Sequence, residues 1–185
     1  MDNFHTKDLS NSNFLVTGGA GFIGSHIAEY LLQHGAGKVR VLDNMVNGFT
    51  ANLDILKQYP AFEFIEGDIR NIETSLKACE GIDYVSHQAA LGSVPRSIKE
   101  PVYFNEVNVG GFVNMLKAAA DCKVKTFVYA SSSSVYGDEL TLPKTENRWR
   151  SGPSISSLLR WLTHRRGKPR WRCPSRRSGP RRPPG

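Results

Sequence analysis

The run Phe14-Leu-Val-Thr-Gly-Gly-Ala-Gly-Phe-Ile-Gly-Ser25 constrains this chain more than any other stretch. Phe14, Leu15 and Val16 form an apolar run of strand type, and Ile23, Ile27, Leu31 and Leu32 recur at helical spacing. A glycine turn therefore joins a buried strand to a helix. Gly18, Gly21 and Gly24 follow the pattern G-x-x-G-x-x-G, with Phe22 and Ile23 inside it. Such a turn lets the backbone approach a pyrophosphate and aims the first N–H groups of a helix at it. The next strand, Lys38–Asp43, ends in an acid. Asp43 lies 25 positions after Gly18 and 19 after Gly24, where a carboxylate accepts hydrogen bonds from an adenosine ribose. A carboxylate there repels a 2′-phosphate, so NAD is expected rather than NADP. The glycines alone also fit a tight strand–helix turn without ligand; the whole strand–turn–helix–strand–acid unit favours the dinucleotide.

Beyond Asp43 the pattern alternates. A polar loop with Asn44 and Gly48 precedes a short helix over 51–58 with Leu53 and Leu56 inward. A third strand over 62–66 leads to Gly67-Asp68. A helix over 71–79, a strand over 82–87, a loop of small residues over 88–99, a long helix over 101–122 and a strand over 124–130 follow. Strands alternating with helices predict an α/β fold: a doubly wound, Rossmann-type parallel sheet in the order 3-2-1-4-5. Ligands in such sheets bind beyond the carboxyl ends of the strands, so the loops there carry the functional reading.

Asp68 and Ile69 follow the third strand; an acid and an amide there fit an adenine edge, and equally a turn aspartate capping the next helix. Ala89 and Ala90 leave room for a flat cofactor, or simply pack closely. His87 reads as a hydrogen-bonded core histidine. In Gly92-Ser93-Val-Pro-Arg96, the arginine pairs with a diphosphate or stays solvated. Gly110 and Gly111 each cost about 1 kcal/mol inside a helix, so another helix or the cofactor loop is expected to pass close by. Asn108, just before them, is placed to reach a loop carbonyl beside the cofactor; otherwise the helix is merely imperfect. Ser131 to Ser134 put hydroxyls at the end of a central strand, where a substrate oxygen would sit.

The net charge of +7 hides two compositions. Residues 1–147 hold 12 Lys and Arg against all 17 Asp and Glu, a net of −5; residues 148–185 hold 12 basic residues and no acid. All three tryptophans and six of the ten prolines lie in that last stretch. The domains expected are a flexible N-terminus over 1–12, a dinucleotide-binding domain over 13–147 and a disordered basic tail over 148–185. Charge and tryptophans suit single-stranded nucleic acid, but the prolines and glycines deny any long element, and nucleic acid is not the expected partner. Cys79, Cys122 and Cys173 have no metal or disulfide spacing and suit a cytoplasmic protein. No apolar run approaches the roughly 18 residues of a membrane span, and residues 1–12 lack the apolar core of a secretory signal.

Together, Thr17-Gly-Gly-Ala-Gly-Phe-Ile-Gly24, Asp43-Asn44, Gly67-Asp68, His87-Gln-Ala-Ala90, Asn108 and Ser131-Ser-Ser-Ser-Val-Tyr-Gly137 resemble the NAD-dependent epimerase/dehydratase family, the extended short-chain dehydrogenase/reductases. The run Ala89-Ala-Leu-Gly-Ser-Val-Pro-Arg-Ser97 looks like UDP-N-acetylglucosamine 4-epimerases, close relatives of UDP-glucose 4-epimerases. The resemblance covers roughly residues 12–148 and implies transient oxidation at the sugar C4, with hydride passing to NAD and back. It assigns cofactor binding to Gly18, Gly21, Phe22, Ile23, Gly24, Asp43, Asn44, Asp68, Ile69, Ala89, Ala90 and Asn108. Gly92, Ser93, Arg96, Ser133 and Ser134 go to the UDP-sugar, and Ser132 to the hydrogen bond with O4. It also implies a homodimer on the long helix and a further one. Nucleotide-sugar dehydratases or dehydrogenases are the alternative within the family.

The family's Y-x-x-x-K pair, whose tyrosine takes the O4 proton and whose lysine lowers its pKa, is missing. Twenty positions beyond Tyr136 stands Ser156, four further stands Arg160, and no Tyr follows Tyr136. The substrate lobe and the second dimer helix are absent as well, so neither turnover nor a dimer is expected. From Trp149 the sequence no longer resembles the family, and acid-free Arg/Pro/Ser/Trp-rich sequence is what an unintended reading frame yields. Sequencing the gene beyond codon 148 should therefore reveal a frame, open past codon 185, that encodes the missing pair; family-like sequence absent from all frames would refute this.

Overall fold

The computed structural model describes residues 5–131 and Pro143. Five parallel strands form one sheet: β1 (Asn13–Thr17), β2 (Lys38–Asp43), β3 (Phe62–Glu66), β4 (Tyr84–His87) and β5 (Thr126–Tyr129), in the order β3-β2-β1-β4-β5. This is the doubly wound order expected. Successive side chains of a strand point to opposite faces, and both faces here are covered, which is why β1 and β2 read as nearly unbroken apolar runs. Leu15 enters a core with Leu42, Val85 and Phe127; its neighbour Val16 enters the other with Val39 and Val41.

Helices α1 (Phe22–Gln33) and α2 (Thr50–Leu56) close the second core with Ala28, Leu32, Leu53 and Leu56. Helix α3 (Ile72–Cys79) closes the first, with Ala78 and Cys79. The chain from Pro101 to Asp121 completes that layer with Met115, Leu116, Ala118 and Ala119. No helix among the described residues is long and apolar enough to cross a membrane.

Four local expectations need correction. The loop over 88–99 contains helix α4 (Val94–Lys99), capped by the Ser93 side chain and opened by Pro95, which has no N–H to lose in a first turn. The long helix is interrupted: α5 (Pro101–Asn105) runs into a π-helical segment, Glu106–Gly111, and then into α6 (Phe112–Asp121). Ile23 does not belong to the buried stripe of α1; it is 61% exposed, and Gly24, Ser25, Ala28 and Leu32 face inward. Finally, the described stretch before β1 is docked rather than loose. The carbonyls of Leu9 and Ser12 both accept from Gly37 N–H at 3.1 Å, and Leu9 packs on the second core.

Arg40 is the one cation buried inside the described sheet, opposite Glu63 of β3. Its Nη1 donates to the carbonyls of Ala78 and Glu80 at 2.8 Å, where α3 runs out of internal partners, and its Nη2 pairs with Glu63 at 3.0 Å. Replacing Arg40 with Met would keep the volume and orphan those carbonyls. Urea titration of Arg40→Met should show about 2–3 kcal/mol lost, the cost of leaving buried acceptors unmade.

Candidate functional site

The site begins where β1 ends. Gly18 stands at φ +69°, and a Cβ there would lie 2.8 Å from the Ala89 backbone. The chain after β1 thus passes the chain after β4 with no room for a side chain. Gly21 N–H donates to Gly18 O at 3.1 Å to close the turn. A Cβ on Gly24 would sit 2.3 Å from Gly18 O, so α1 rests directly on the turn. Gly21 precedes α1 and offers no side-chain cap. The first N–H groups of that helix, on Phe22, Ile23 and Gly24, are therefore left to an anion, at the positive end of a helix of 12 residues.

Asp43 has a structural task at the same spot. Its carboxylate accepts the Ala20 N–H at 3.0 Å through Oδ2 and the Met45 N–H at 2.9 Å through Oδ1. The Ala20 carbonyl is held in turn by Phe49 N–H and Asn52 Nδ2. The acid expected for a ribose thus also ties the glycine turn to the loop after β2. Asn47 and Gly48 of that loop line the cleft beside Gly18, Gly21, Asp43 and Asn44, and neither was singled out from sequence. Gly48 has a packing reason to lack a side chain, because a Cβ there would meet Ala20 Cβ at 2.6 Å.

The far wall of the cleft comes from Ile69, Gln88, Ala89, Ala90, Leu91 and Val107. Asn108 reaches a loop carbonyl: Nδ2 donates to Leu91 O at 3.0 Å, and Oδ1 accepts Leu91 N–H at 2.8 Å. Its amide fixes both polar groups of one loop residue. The close approach anticipated for the glycine pair belongs to Gly111 alone, where a Cβ would sit 2.5 Å from Ile69 Cγ1; Gly110 faces open space.

Asp68 does not cap α3; the Asn71 side chain does, accepting Thr74 N–H at 3.0 Å. Asp68 instead binds Arg70 at 2.8 Å and accepts from Asn44 Nδ2 at 2.9 Å, in a groove adjoining the cleft. Its hydrogen bond with the Arg70 side chain holds its pKa down at about 2. Gly92, Ser93 and Arg96 do not line the cleft. Ser93 Oγ caps α4, and Arg96 is engaged by Glu100 at 3.2 Å with its guanidinium over Tyr103. Ser132, Ser133 and Ser134 lie outside the described residues.

Below the cleft, His87 is buried as expected, with Nδ1 2.8 Å from Thr17 Oγ1. Burial pushes its pKa down to about 4.

Residues 14–154 match the NAD dependent epimerase/dehydratase family. A UDP-glucose 4-epimerase of Klebsiella pneumoniae is 39% identical over 137 residues, spanning 72% of this chain and 98% of that sequence. Among solved structures, the UDP-N-acetylglucosamine 4-epimerase of Methanobrevibacter ruminantium M1, in complex with UDP-N-acetylmuramic acid, superposes with a TM-score of 0.66. It is 36% identical over 73% of this chain and 42% of its own. DesIV of Streptomyces venezuelae, a dTDP-glucose 4,6-dehydratase with NAD and TYD bound, gives a TM-score of 0.68 and 38% identity over 74% of this chain and 44% of its own. The chain thus spans less than half the length of both solved relatives.

Two outcomes follow from the geometry. As pH falls below 6.5, the unfolded chain protonates His87 while the folded chain refuses the proton until about 4, so stability should drop across that window and level off below it. His87→Phe should lack this part of the slope in melts recorded from pH 7 to pH 4. Asn108→Ala should free the Leu91 loop, seen as faster amide exchange at Leu91, with a stability loss of about 1 kcal/mol for the two exposed hydrogen bonds.

Proposed function

Because the chain belongs to the NAD-dependent epimerase/dehydratase family, we propose that it is the cofactor-binding half of a UDP-sugar 4-epimerase, able to hold NAD and unable to turn over substrate. The observation carrying this reading is the cradle of Gly18, Gly21 and Gly24, which three side chains would fill, set against Asp43 and Ala89. Its backbone fits a diphosphate, and Asp43 and Asn44 fit an adenosine ribose. Ile69 and Asp68 suit the adenine side, and Ala89 and Ala90 leave a flat passage held open by Asn108. NAD, when bound, supplies an acceptor and donor of hydride.

The residues of this chain divide by task. The amides of Phe22, Ile23 and Gly24 neutralise diphosphate charge. Gly92, Ser93, Arg96, Ser133 and Ser134 are proposed for the UDP-sugar; Arg96 would have to exchange Glu100 for the ligand. Ser132 is proposed to hydrogen-bond the sugar O4. No tyrosine follows Tyr136 to take the O4 proton, and serine at 156 is too weak an acid to replace a phenol. The Ala89–Ser97 run supports the N-acetylhexosamine pair as the substrate type. The match to a dTDP-glucose 4,6-dehydratase keeps dehydration as a second reading of the ancestral chemistry.

Isothermal titration should show one NAD per chain. Gly24→Val should abolish that uptake, since its side chain must displace the Gly18 carbonyl. Coupled assays with UDP-N-acetylglucosamine and UDP-glucose should show no turnover. A folded chain that takes up no NAD would overturn the cofactor reading; epimerisation by pure chain would overturn the inactivity.

A further inference from the structure

Thr17 and His87 face each other across β1 and β4, at the last paired register before the cleft. Both are buried. Thr17 Oγ1 has two partners: it accepts Ala89 N–H at 3.2 Å and lies 2.8 Å from His87 Nδ1. A hydroxyl has one proton and two lone pairs. With one lone pair given to Ala89, the hydroxyl can meet Nδ1 as donor or as acceptor. Among the described contacts its proton has no acceptor other than His87 Nδ1, so donation to Nδ1 is the arrangement that satisfies the buried hydroxyl, with the ring proton on Nε2. The imidazole cannot swing away, because its centroid lies 5.5 Å from that of Phe112 and 5.6 Å from that of Phe127. The backbone copies the same link, with Gln88 N–H donating to Thr17 O at 3.1 Å. Directly above, Gly18 leaves no gap to the Ala89 backbone.

We propose that His87 is a positioning residue for the cofactor: by accepting the Thr17 proton at Nδ1 it turns a Thr17 lone pair onto Ala89 N–H, and so sets the height of Ala89 and Ala90 over Gly18. The inference rests on the reading of the cleft as an NAD site. It differs from a packing role in one respect: the nitrogen matters for affinity, and the ring matters for stability. His87 stays neutral throughout the pH range in which the cleft would bind, because burial disfavours its charged form.

The two roles separate in the full chain. His87→Phe keeps an aromatic ring between Phe112 and Phe127 and removes the acceptor. Its melting temperature should fall, by less than that of a variant which empties the ring volume, and its NAD dissociation constant should rise about fivefold to twentyfold, the scale of one lost hydrogen bond. His87→Asn places an acceptor at the Nδ1 position and empties the ring volume. It should melt lower, yet bind NAD within about twofold of the parent. Thr17→Val should weaken NAD to the same degree as His87→Phe, and the double variant should be no weaker than either single one. Nitrogen NMR of histidine-labelled, ligand-free chain should show one imidazole whose Nδ1 is unprotonated at neutral pH. Undiminished affinity in His87→Phe, additive losses in the double variant, or a protonated Nδ1 would overturn the proposal. A parent chain that folds and takes up no NAD would sink the cofactor reading and this inference together, whereas a binding parent with an indifferent His87→Phe sinks this inference alone. Should His87→Phe fail to fold, Thr17→Val and His87→Asn decide the matter.

Discussion

Everything at the carboxyl edge of the sheet depends on how closely the chain leaving β1 passes the chain leaving β4. At Gly18 the two backbones are separated by less than one side chain. Only a residue without Cβ, at a positive φ that other residues resist, permits that contact. The contact sets where α1 begins, because Gly24 must clear the Gly18 carbonyl, and it sets where Ala89 and Ala90 lie. A cleft built this way has walls of backbone, and its polar groups are amides whose positions follow from the sheet rather than from rotamers. That is the kind of rigidity an anion site benefits from, since its donors lose no freedom when a ligand arrives.

Around this contact the loops are fastened to one another by side chains, of which Asp43 and Asn44 also line the cleft. Asp43 holds the glycine turn through Ala20, and Asn44 holds the loop after β3 through Asp68. Asn114 donates to the Ile69 and Arg70 carbonyls from α6, and Asn108 fastens the loop after β4. Each of these residues closes a loop with hydrogen-bonding capacity that is then withheld from a ligand. Asp43 retains free lone pairs after accepting two amides, because a carboxylate offers about four. It can therefore serve the fold and a ribose together.

The strand order, the glycine turn and Asp43 were legible because they depend on local rules: apolar runs, glycine spacing and the position of an acid after a strand. The Asn108–Leu91 pairing was legible in outline for the same reason, since glycines inside a helix announce a close neighbour. What escaped the sequence depends on which partner a polar side chain takes among the several within its reach. Arg96 read as a diphosphate ligand or a solvated side chain, and the structure adds its pairing with Glu100 and Tyr103; Asp68 read as a cap or an adenine contact, and it caps nothing but meets Arg70 and Asn44. The π-helical segment was hidden too. Its extra residue per turn displaces the helix phase without any change in the apolar pattern that periodicity reads. The segment lies where Asn108 reaches Leu91 and Gly111 abuts Ile69, so the irregular turn sits at two of the contacts the helix makes with cleft-lining residues.

Binding and chemistry are physically separable in such a chain. The groups that fit a dinucleotide lie within residues 18–108, on the glycine turn, the loops after β2, β3 and β4 and the π-helical segment, and the five described strands pair with one another. Under the proposed function, the groups that would move a proton from a sugar hydroxyl belong to sequence beyond residue 131, where the family's spacing from Tyr136 falls on Ser156 and Arg160. An interaction present equally in ground and transition states yields affinity without rate. A chain that keeps the cradle and lacks the acid–base pair therefore retains the first kind of interaction alone. NAD bound at the cradle would stabilise the fold by mass action, by an amount that grows with the logarithm of the cofactor's excess over its dissociation constant.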